Sequence, residues 1–318
     1  MRYVVTGAAG FIGSHLAEAL AARGDDVLAV DSFTDYYDPR LKQANAVSLE
    51  IQRFDLADDP LDCLVDSVDG VFHLAGQPGV RASWGDDFED YLRRNLLATQ
   101  RLFEAVEPGV RVVFASSSSI YGNAEGYPTS EDVPPRPISP YGITKLACEH
   151  LAAAYAESAG LEAVGLRYFT VYGPRQRPDM AFTRLLRALA NGAPFDLYGD
   201  GSASRSFTYV ADAVDATIAA MEAEGVRPLY NVGGGSEATM REVIGLSERI
   251  SERRLNVRSH PVQAGDVRRT AADVSRVAAD LGWQPRVSLE EGIRAQWEWV
   301  RQEVSANPGG VPTPLGGR

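Results

Sequence analysis

The stretch VVTGAAGFIGSHL, residues 4–16, sets Gly7, Gly10 and Gly13 between a run of β-branched apolar residues and an amphipathic segment. A chain that leaves a strand, turns on glycine and starts a helix points backbone N–H groups, and the positive end of the helix dipole, at whatever lies beyond the strand. Three glycines alone can mean only a tight turn, so context decides. Here a strand precedes, a helix follows, and Asp31 closes the next strand-like run, DVLAVD (26–31). A carboxylate about 20 residues past such a turn accepts ribose hydroxyls and repels a 2′-phosphate. The pattern predicts a dinucleotide site that favours NAD over NADP. Asp55 and Leu56, after the third strand, are placed to meet an adenine, although a strand-end acid also caps helices.

Outward from this turn, strand-like runs fall at 2–6, 26–31, 51–55, 68–75, 111–116 and 161–167, with helical patterns at 12–23, 88–107 and 140–159. Apolar strands alternating with amphipathic helices imply an α/β fold, a Rossmann-type doubly wound parallel sheet covered on both faces. The pattern at 88–107 lacks Gly and Pro and reads as one regular helix. After about residue 170 turns such as YGPRQRPD and YGDGSAS separate shorter helices at 180–191, 210–224, 239–253 and 288–304. The expected division is a NAD-binding Rossmann domain, 1–170 plus about 205–232, and a smaller mixed α/β substrate lobe, about 171–204 and 233–304. The Pro/Gly-rich 305–318 reads as a flexible tail.

Bulk composition narrows the partners. The 318 residues are 45% hydrophobic and 23% charged, as in ordinary globular proteins. Thirty-one basic residues against 43 acidic ones give a net charge of -12, which argues against nucleic acid and anionic membrane but not against a small anion bound by local arginines. Only Lys42 and Lys145 are lysines. Cys63 and Cys148 are too few for a disulfide framework or a metal site, and His15, His73, His150 and His260 show no ligand spacing. His73 reads as a residue packed beneath the sheet, and Cys148 as a small buried filler. No apolar run reaches the ~20 residues that span a bilayer. The chain opens on a strand-like MRYVVTG and not on a signal peptide, so a cytoplasmic protein is expected.

Two further segments carry chemistry. In YGITK, Tyr141 and Lys145 lie four apart at the start of a helix and so share a face. An ammonium beside a phenol favours the phenolate, which can take a hydroxyl proton; a surface Tyr–Lys pair is the plainer alternative. In FASSSSIYG (114–122) a strand ends in four consecutive serines, small hydroxyls with no charge among them.

The glycine spacing T-G-x-x-G-x-x-G, with FHLAG, SSSSIYG, SPYGITKLACE, LRYFTVYGP and YGDGSASRSFTYVADAV in that order, resembles the extended short-chain dehydrogenase/reductase superfamily over nearly the whole chain. The resemblance implies an enzyme in which Tyr141 is the base, Lys145 its cationic neighbour and Ser117 a hydrogen-bonding partner of substrate and tyrosine. It implies NAD held by Gly7, Gly10, Phe11, Ile12, Gly13, Asp31, Ser32, Asp55, Leu56, Leu74, Ala75, Asn95, Tyr141, Lys145 and Tyr168. Dehydratase relatives carry Asp-Glu after the first serine, and decarboxylating ones a glutamate before the hydrophobic-Tyr-Gly; here Ser118 and Ser119 stand there, which points to epimerisation.

DSFTDYYDPRLK (31–42), GQPGVRASW (76–84) and RYFTVYGPRQRPDMAF (167–182) are similar to UDP-glucuronate 4-epimerases, whereas UDP-glucose and UDP-N-acetylhexosamine epimerases usually hold Asn at Thr170. This implies a UDP-sugar substrate, UDP-glucuronate, contacted by Val80, Arg81, Ser117, Ser118, Ser119, Thr170, Arg177, Arg205, Gln263 and Asp266, with no metal and with homodimers paired through helices 88–107 and 140–159. A UDP-glucuronate decarboxylase, a UDP-glucose or UDP-N-acetylhexosamine epimerase and a non-catalytic NAD-binding sensor remain as alternatives.

Overall fold

A computed structural model describes residues 1–46, 48–262 and 267–306. Seven parallel strands form the central sheet: β1 (Arg2–Thr6), β2 (Asp26–Asp31), β3 (Ile51–Arg53), β4 (Gly70–His73), β5 (Arg111–Ser117), β6 (Glu162–Tyr168) and, much later in the chain, β10 (Leu229–Val232). Their order is β3-β2-β1-β4-β5-β6-β10, so the chain reverses direction across the sheet between β1 and β4. Ligands of open parallel sheets bind at that reversal, outside the carboxyl ends of the strands.

The alternation along the strands explains why both faces are covered. Tyr3 and Val5 of β1, Phe72 of β4 and Val113 of β5 face a cluster with Leu16 and Leu20 of α1 (Phe11–Ala22) and Ala213 and Ala216 of α8 (Val210–Glu222). Their neighbours Val4, Val71, Val112 and Phe114 face a second cluster. It holds Leu64 of α3 (Asp62–Val65), Leu102 and Phe103 of α5 (Ala98–Ala105), and Cys148 of α6 (Pro140–Ala159). Each fully buried valine contributes on the order of 1.5–3 kcal/mol.

The strands are shorter than the apolar runs. β3 stops at Arg53 and β4 at His73, because the following residues enter loops that line the cleft. Helix α6 matches its expected span of 140–159: the Ser139 hydroxyl accepts from Gly142 N at 3.1 Å, Pro140 occupies the first turn, and Gly160 ends the helix at φ 68. The stretch 88–107 is not one regular helix. It divides into α4 (Phe88–Tyr91), a π-helical segment Leu92–Leu97, and α5. A helix α2 (Pro39–Asn45) follows β2.

Beyond β6 the chain builds smaller sheets. β7 (Thr170–Tyr172), β9 (Ser204–Tyr209), β11 (Ser236–Thr239) and β13 (Arg269–Thr270) form one, with β9 paired to the other three. β8 (Pro194–Tyr198) and β12 (Asn256–His260) form another. A third apolar cluster gathers Tyr172, Phe182 and Phe207 with α7 (Ala181–Asn191), α9 (Met240–Ser251) and α11 (Leu289–Ala306). The rings of Phe182 and Phe207 lie 4.8 Å apart. α10 (Ser275–Leu281) packs beside β10. Among the described residues no helix is long and apolar enough to cross a membrane.

His73 is buried in β4 between two threonine hydroxyls, Nδ1 2.9 Å from Thr6 Oγ1 and Nε2 3.0 Å from Thr99 Oγ1. Burial, with the charge of Lys145 adding to it, pushes its pKa down to about 3. A neutral ring held at both nitrogens is a structural strut.

Candidate active site

The cleft opens where β1 and β4 end. Gly7 adopts φ 69, and a Cβ there would stand 2.7 Å from Ala75 N in the loop after β4. A Cβ on Gly13 would stand 2.1 Å from Gly7 O. The turn, the start of α1 and the opposing loop are thus packed backbone to backbone, and a side chain at either position would fill the cradle they leave. Thr6 ties the two loops together, its hydroxyl accepting from Ala75 N at 3.1 Å. Gly7, Gly10, Phe11, Ile12, Gly13, Asp31, Ser32, Asp55, Leu56, Leu74 and Ala75 all line this cleft. A glycine cradle at a helix start, with a carboxylate at the end of the next strand, fits a dinucleotide pyrophosphate and ribose.

Asp31 is buried and well held. Its Oδ1 accepts from Phe33 N at 2.7 Å and its Oδ2 from Ala9 N at 3.2 Å. Lys42 Nζ lies 3.6 Å from Oδ1 and donates to Thr34 Oγ1 at 3.0 Å.

Asn95 does not line the cleft with its neighbours but braces it from behind. Its Oδ1 accepts from Gln77 N at 2.7 Å, while Nδ2 donates to Gln77 O at 3.2 Å and to Thr144 Oγ1 at 3.1 Å. Helical segments with i→i+5 bonding recur at functional sites, and this one turns Asn95 inward. Tyr168 goes elsewhere: its hydroxyl pairs with Thr217 Oγ1 at 2.6 Å in the core under α8.

The groups expected to react lie at the start of α6 and at the end of β5. Lys145 Nζ donates to Ala115 O at 2.9 Å, and a Cβ on Gly76 of the cleft wall would lie 3.4 Å from the same nitrogen. Ser117 ends β5 and caps a 3₁₀ turn, Ser118–Tyr121, accepting from Ser119 N at 3.1 Å. Gly142 lies so close to this turn that a Cβ would sit 2.7 Å from Ser119 O. That contact holds the backbone next to Tyr141 against the serine turn. The Tyr141 ring meets Tyr91 edge-on at 6.2 Å, and the Tyr91 hydroxyl donates to Pro78 O and Gly79 O.

Beneath the serine turn lies a buried ion pair. Arg167 Nε and Nη2 donate to Glu149 Oε1 at 3.0 Å and Oε2 at 2.8 Å, and Ser116 Oγ donates to Oε1 at 2.5 Å. Arg167 Nη1 continues to the Tyr121 hydroxyl at 2.8 Å, which donates to Asn231 Oδ1. The network joins β5, α6, β6 and β10.

Of the remaining expected site residues, Arg177 lines the cleft, its guanidinium paired two-pronged with Asp179 at 3.0 Å for both bonds. Burial opposes its charge, but the Asp179 carboxylate outweighs this and holds the guanidinium well above its ordinary pKa. Thr170 begins β7, opposite Phe207. Val80 and Arg81 follow the loop after β4, with the Arg81 guanidinium 4.5 Å from the centre of the Tyr198 ring. Arg205 donates to Ser204 O at 2.8 Å and Val267 O at 2.6 Å. Gln263 and Asp266 lie outside the described residues. The sequence reading missed Tyr36, Tyr37, Lys42, Gln77 and Arg94 as cleft residues. Only Lys42 carried a hint, as one of two lysines in the chain.

The model of the NAD dependent epimerase/dehydratase family matches residues 3–233. The chain belongs to that family. NAD is the cofactor of this epimerase, and the glycine cradle is built for it. A Bacillus subtilis protein named as an uncharacterized UDP-glucose epimerase is 42% identical over 303 residues, covering 92% of this chain and 96% of its own. The crystal structure of a UDP-glucuronic acid 4-epimerase from Bacillus cereus, in complex with UDP-glucuronic acid and NAD, superposes with a TM-score of 0.92 at 39% identity, covering 95% of this chain and 100% of that one. The protein MoeE5, solved with NAD and either UDP-glucuronic acid or UDP-glucose, is 44% identical at TM-scores of 0.84 and 0.85, covering 95% and 96% of this epimerase and all of MoeE5.

Proposed function

We propose that this epimerase interconverts UDP-glucuronate and UDP-galacturonate at C4 through a transient 4-keto sugar. The serine turn carries the reading. Nothing at Ser118 or Ser119 can act as a charged acid or base, and the acids flanking the turn are committed: Glu149 to Arg167 and Ser116, Glu131 to Asn231 N at 2.8 Å. Elimination lacks the group it needs there, and the glutamate that decarboxylating relatives carry is absent. Tyr141 takes the C4 hydroxyl proton and returns it after the ketose has offered its other face, with Ser117 orienting the hydroxyl. When bound, NAD supplies the redox chemistry at that carbon.

Arg177 supports a uronate. A 4-ketone lies β to the C6 carboxylate, and such an acid loses CO₂ readily when the breaking bond aligns with the carbonyl π system. A planar guanidinium fork fixes carboxylate orientation as well as supplying charge. Here the guanidinium already holds the Asp179 carboxylate two-pronged, and the sugar carboxylate would take that place. Arg177→Leu is therefore expected to weaken UDP-glucuronate binding by the ~1.5–3 kcal/mol of a charged hydrogen bond. It should also raise the share of decarboxylated product and leave UDP-glucose binding unchanged. Calorimetry and mass measurement of the products check this; wild-type affinity and product ratio would remove Arg177 from the carboxylate. The second reading, a UDP-glucose 4-epimerase, has the name of the 42%-identical relative in its favour. A parent enzyme that turns over UDP-glucose in preference to UDP-glucuronate decides for it.

The working unit we infer is a homodimer. Leu92 and Leu97 are each 41% exposed and Ile143 is 53% exposed, on the neighbouring π-helical segment and α6. Leu92→Glu combined with Ile143→Glu should halve the mass seen by sedimentation velocity. A wild-type monomer, or a variant dimer, rules this face out.

A further inference from the structure

Ser117 and Tyr141 belong to different elements, the end of β5 and the start of α6, and one buried guanidinium ties these elements together. Arg167 directs its donors two ways. Nε and Nη2 grip Glu149 at 3.0 and 2.8 Å, and Glu149 Oε1 accepts from Ser116 Oγ at 2.5 Å. Nη1 donates to the Tyr121 hydroxyl at 2.8 Å and to Glu131 O at 3.1 Å, with the guanidinium 5.1 Å from the centre of the Tyr121 ring. Ser116 is the residue before Ser117, and Tyr121 is the last of the turn Ser118–Tyr121. Both ends of the serine stretch are thus referred to one planar group, whose forked donors keep a fixed spacing. The Glu149 carboxylate also ties the stretch to α6. Lys145 donates to Ala115 O at 2.9 Å, and Glu149, one helical turn on, receives Ser116. Two neighbours on β5 therefore meet two residues of one face of α6, which stops the strand end from sliding along the helix. Asn231 of β10 closes the network, its Oδ1 accepting from the Tyr121 hydroxyl at 2.8 Å and its N donating to Glu131 Oε1 at 2.8 Å. Ser116, Tyr121, Glu131, Glu149, Arg167 and Asn231 are all buried.

We infer that Arg167, acting through Glu149 and Ser116 at one end and Tyr121 at the other, is a positioning residue for the reaction, a role that rests on the serine turn taking part in it and not on which UDP-sugar reacts. The unit holds the turn where Ser117 can meet the hydroxyl that Tyr141 deprotonates. Such geometry is steep, since a displacement of about 1 Å can cost about a hundredfold in rate. The ion pair thus does more than fill the space behind the sheet.

The test compares Ser116→Ala, Tyr121→Phe, and Glu149→Leu combined with Arg167→Met. The last removes both charges, fills their volume and leaves Ser116 and Tyr121 without their partners. All three keep Ser117, Tyr141 and Lys145. Turnover is followed with UDP-glucuronate, or with UDP-glucose if the parent prefers it, and is divided by the sugar-binding sites counted by calorimetry, so that unfolded chains do not enter. Turnover per site should fall by about tenfold to hundredfold in all three, while sugar affinity and bound NAD stay as in the parent. In the double variant the loss should persist although stability is regained relative to Glu149→Ala, whereas a purely structural pair would bring turnover back with the melting temperature. Should the double variant fail to fold, the two single variants decide alone. Wild-type turnover per site in both single variants, or a double variant that recovers turnover with stability, overturns the inference. So does a loss of sugar affinity in step with turnover, the mark of general loosening. Ser117→Ala separates the remaining failure: wild-type turnover there would take the serine turn out of the reaction, and the reading beneath the inference would fall with it.

Discussion

Tyr141→Phe should lose turnover by about 10²–10⁴-fold, the contribution typical of one positioned acid–base group, while NAD stays bound and the fold is unchanged. The substitution removes one oxygen and keeps the ring that meets Tyr91 edge-on. The cap at Ser139 and the contact of Gly142 with Ser119 do not involve the hydroxyl. No neighbour can take its place. Burial, with Asp179 adding to it, pushes the Tyr36 hydroxyl up to about 12. The Tyr91 hydroxyl is raised further by burial and donates to two carbonyls. His73 is held between threonines. Chromatographic separation of the two epimers over time gives the rate, and a variant within tenfold of wild type would end the assignment of Tyr141 as the base.

The second large effect concerns stability. Glu149→Ala should cost about 3–5 kcal/mol, because it leaves the Arg167 guanidinium buried beside an empty space. For a chain of this size that lowers the melting temperature by on the order of 10 °C. Arg167 is 3% and Glu149 5% exposed at the side chain, so water does not rescue the survivor. The double variant Glu149→Leu with Arg167→Met removes both charges and fills the volume, and should be markedly more stable than Glu149→Ala. Thermal melts of the variants test the pair, and a double variant as weak as the single one would show that packing, not charge, holds this junction.

Much of the fold was legible because local chemistry and tertiary structure agree. Ser139, Pro140 and Gly160 mark both ends of α6, and the glycine turn with Asp31 marks the cleft at the β1–β4 reversal. Legibility failed where a side chain's direction is set by distant partners or by a local turn that carries no motif. Tyr168 lies one residue beyond Arg167, but its ring is drawn under α8 by Thr217. The Asp179 partner of Arg177 sits two residues on, a spacing that in sequence suggests nothing. Lys42 and Tyr37 reach the cleft through the turn folded about Asp31, and no motif announces them. The pattern YLRRNLLATQ has no Gly or Pro to mark a break, and the bonds that draw Asn95 inward come from Gln77 and Thr144.

That π-helical segment amounts to a shift of phase. In an α-helix each residue advances by about 100°, so positions five apart stand about 140° from each other. Between Leu92 and Leu97 the i→i+5 pattern places positions five apart on one face, as positions four apart are in an α-helix, and both leucines are exposed to the same degree, at 41%, while Asn95 between them is 1% exposed. The segment thus acts as a rotary joint, letting the stretch show an apolar stripe outward and an amide inward. Removing any single residue from it would restore the ordinary pitch. The outer stripe and the inner brace would then fall out of step, so surface and cleft must gain or lose length here together.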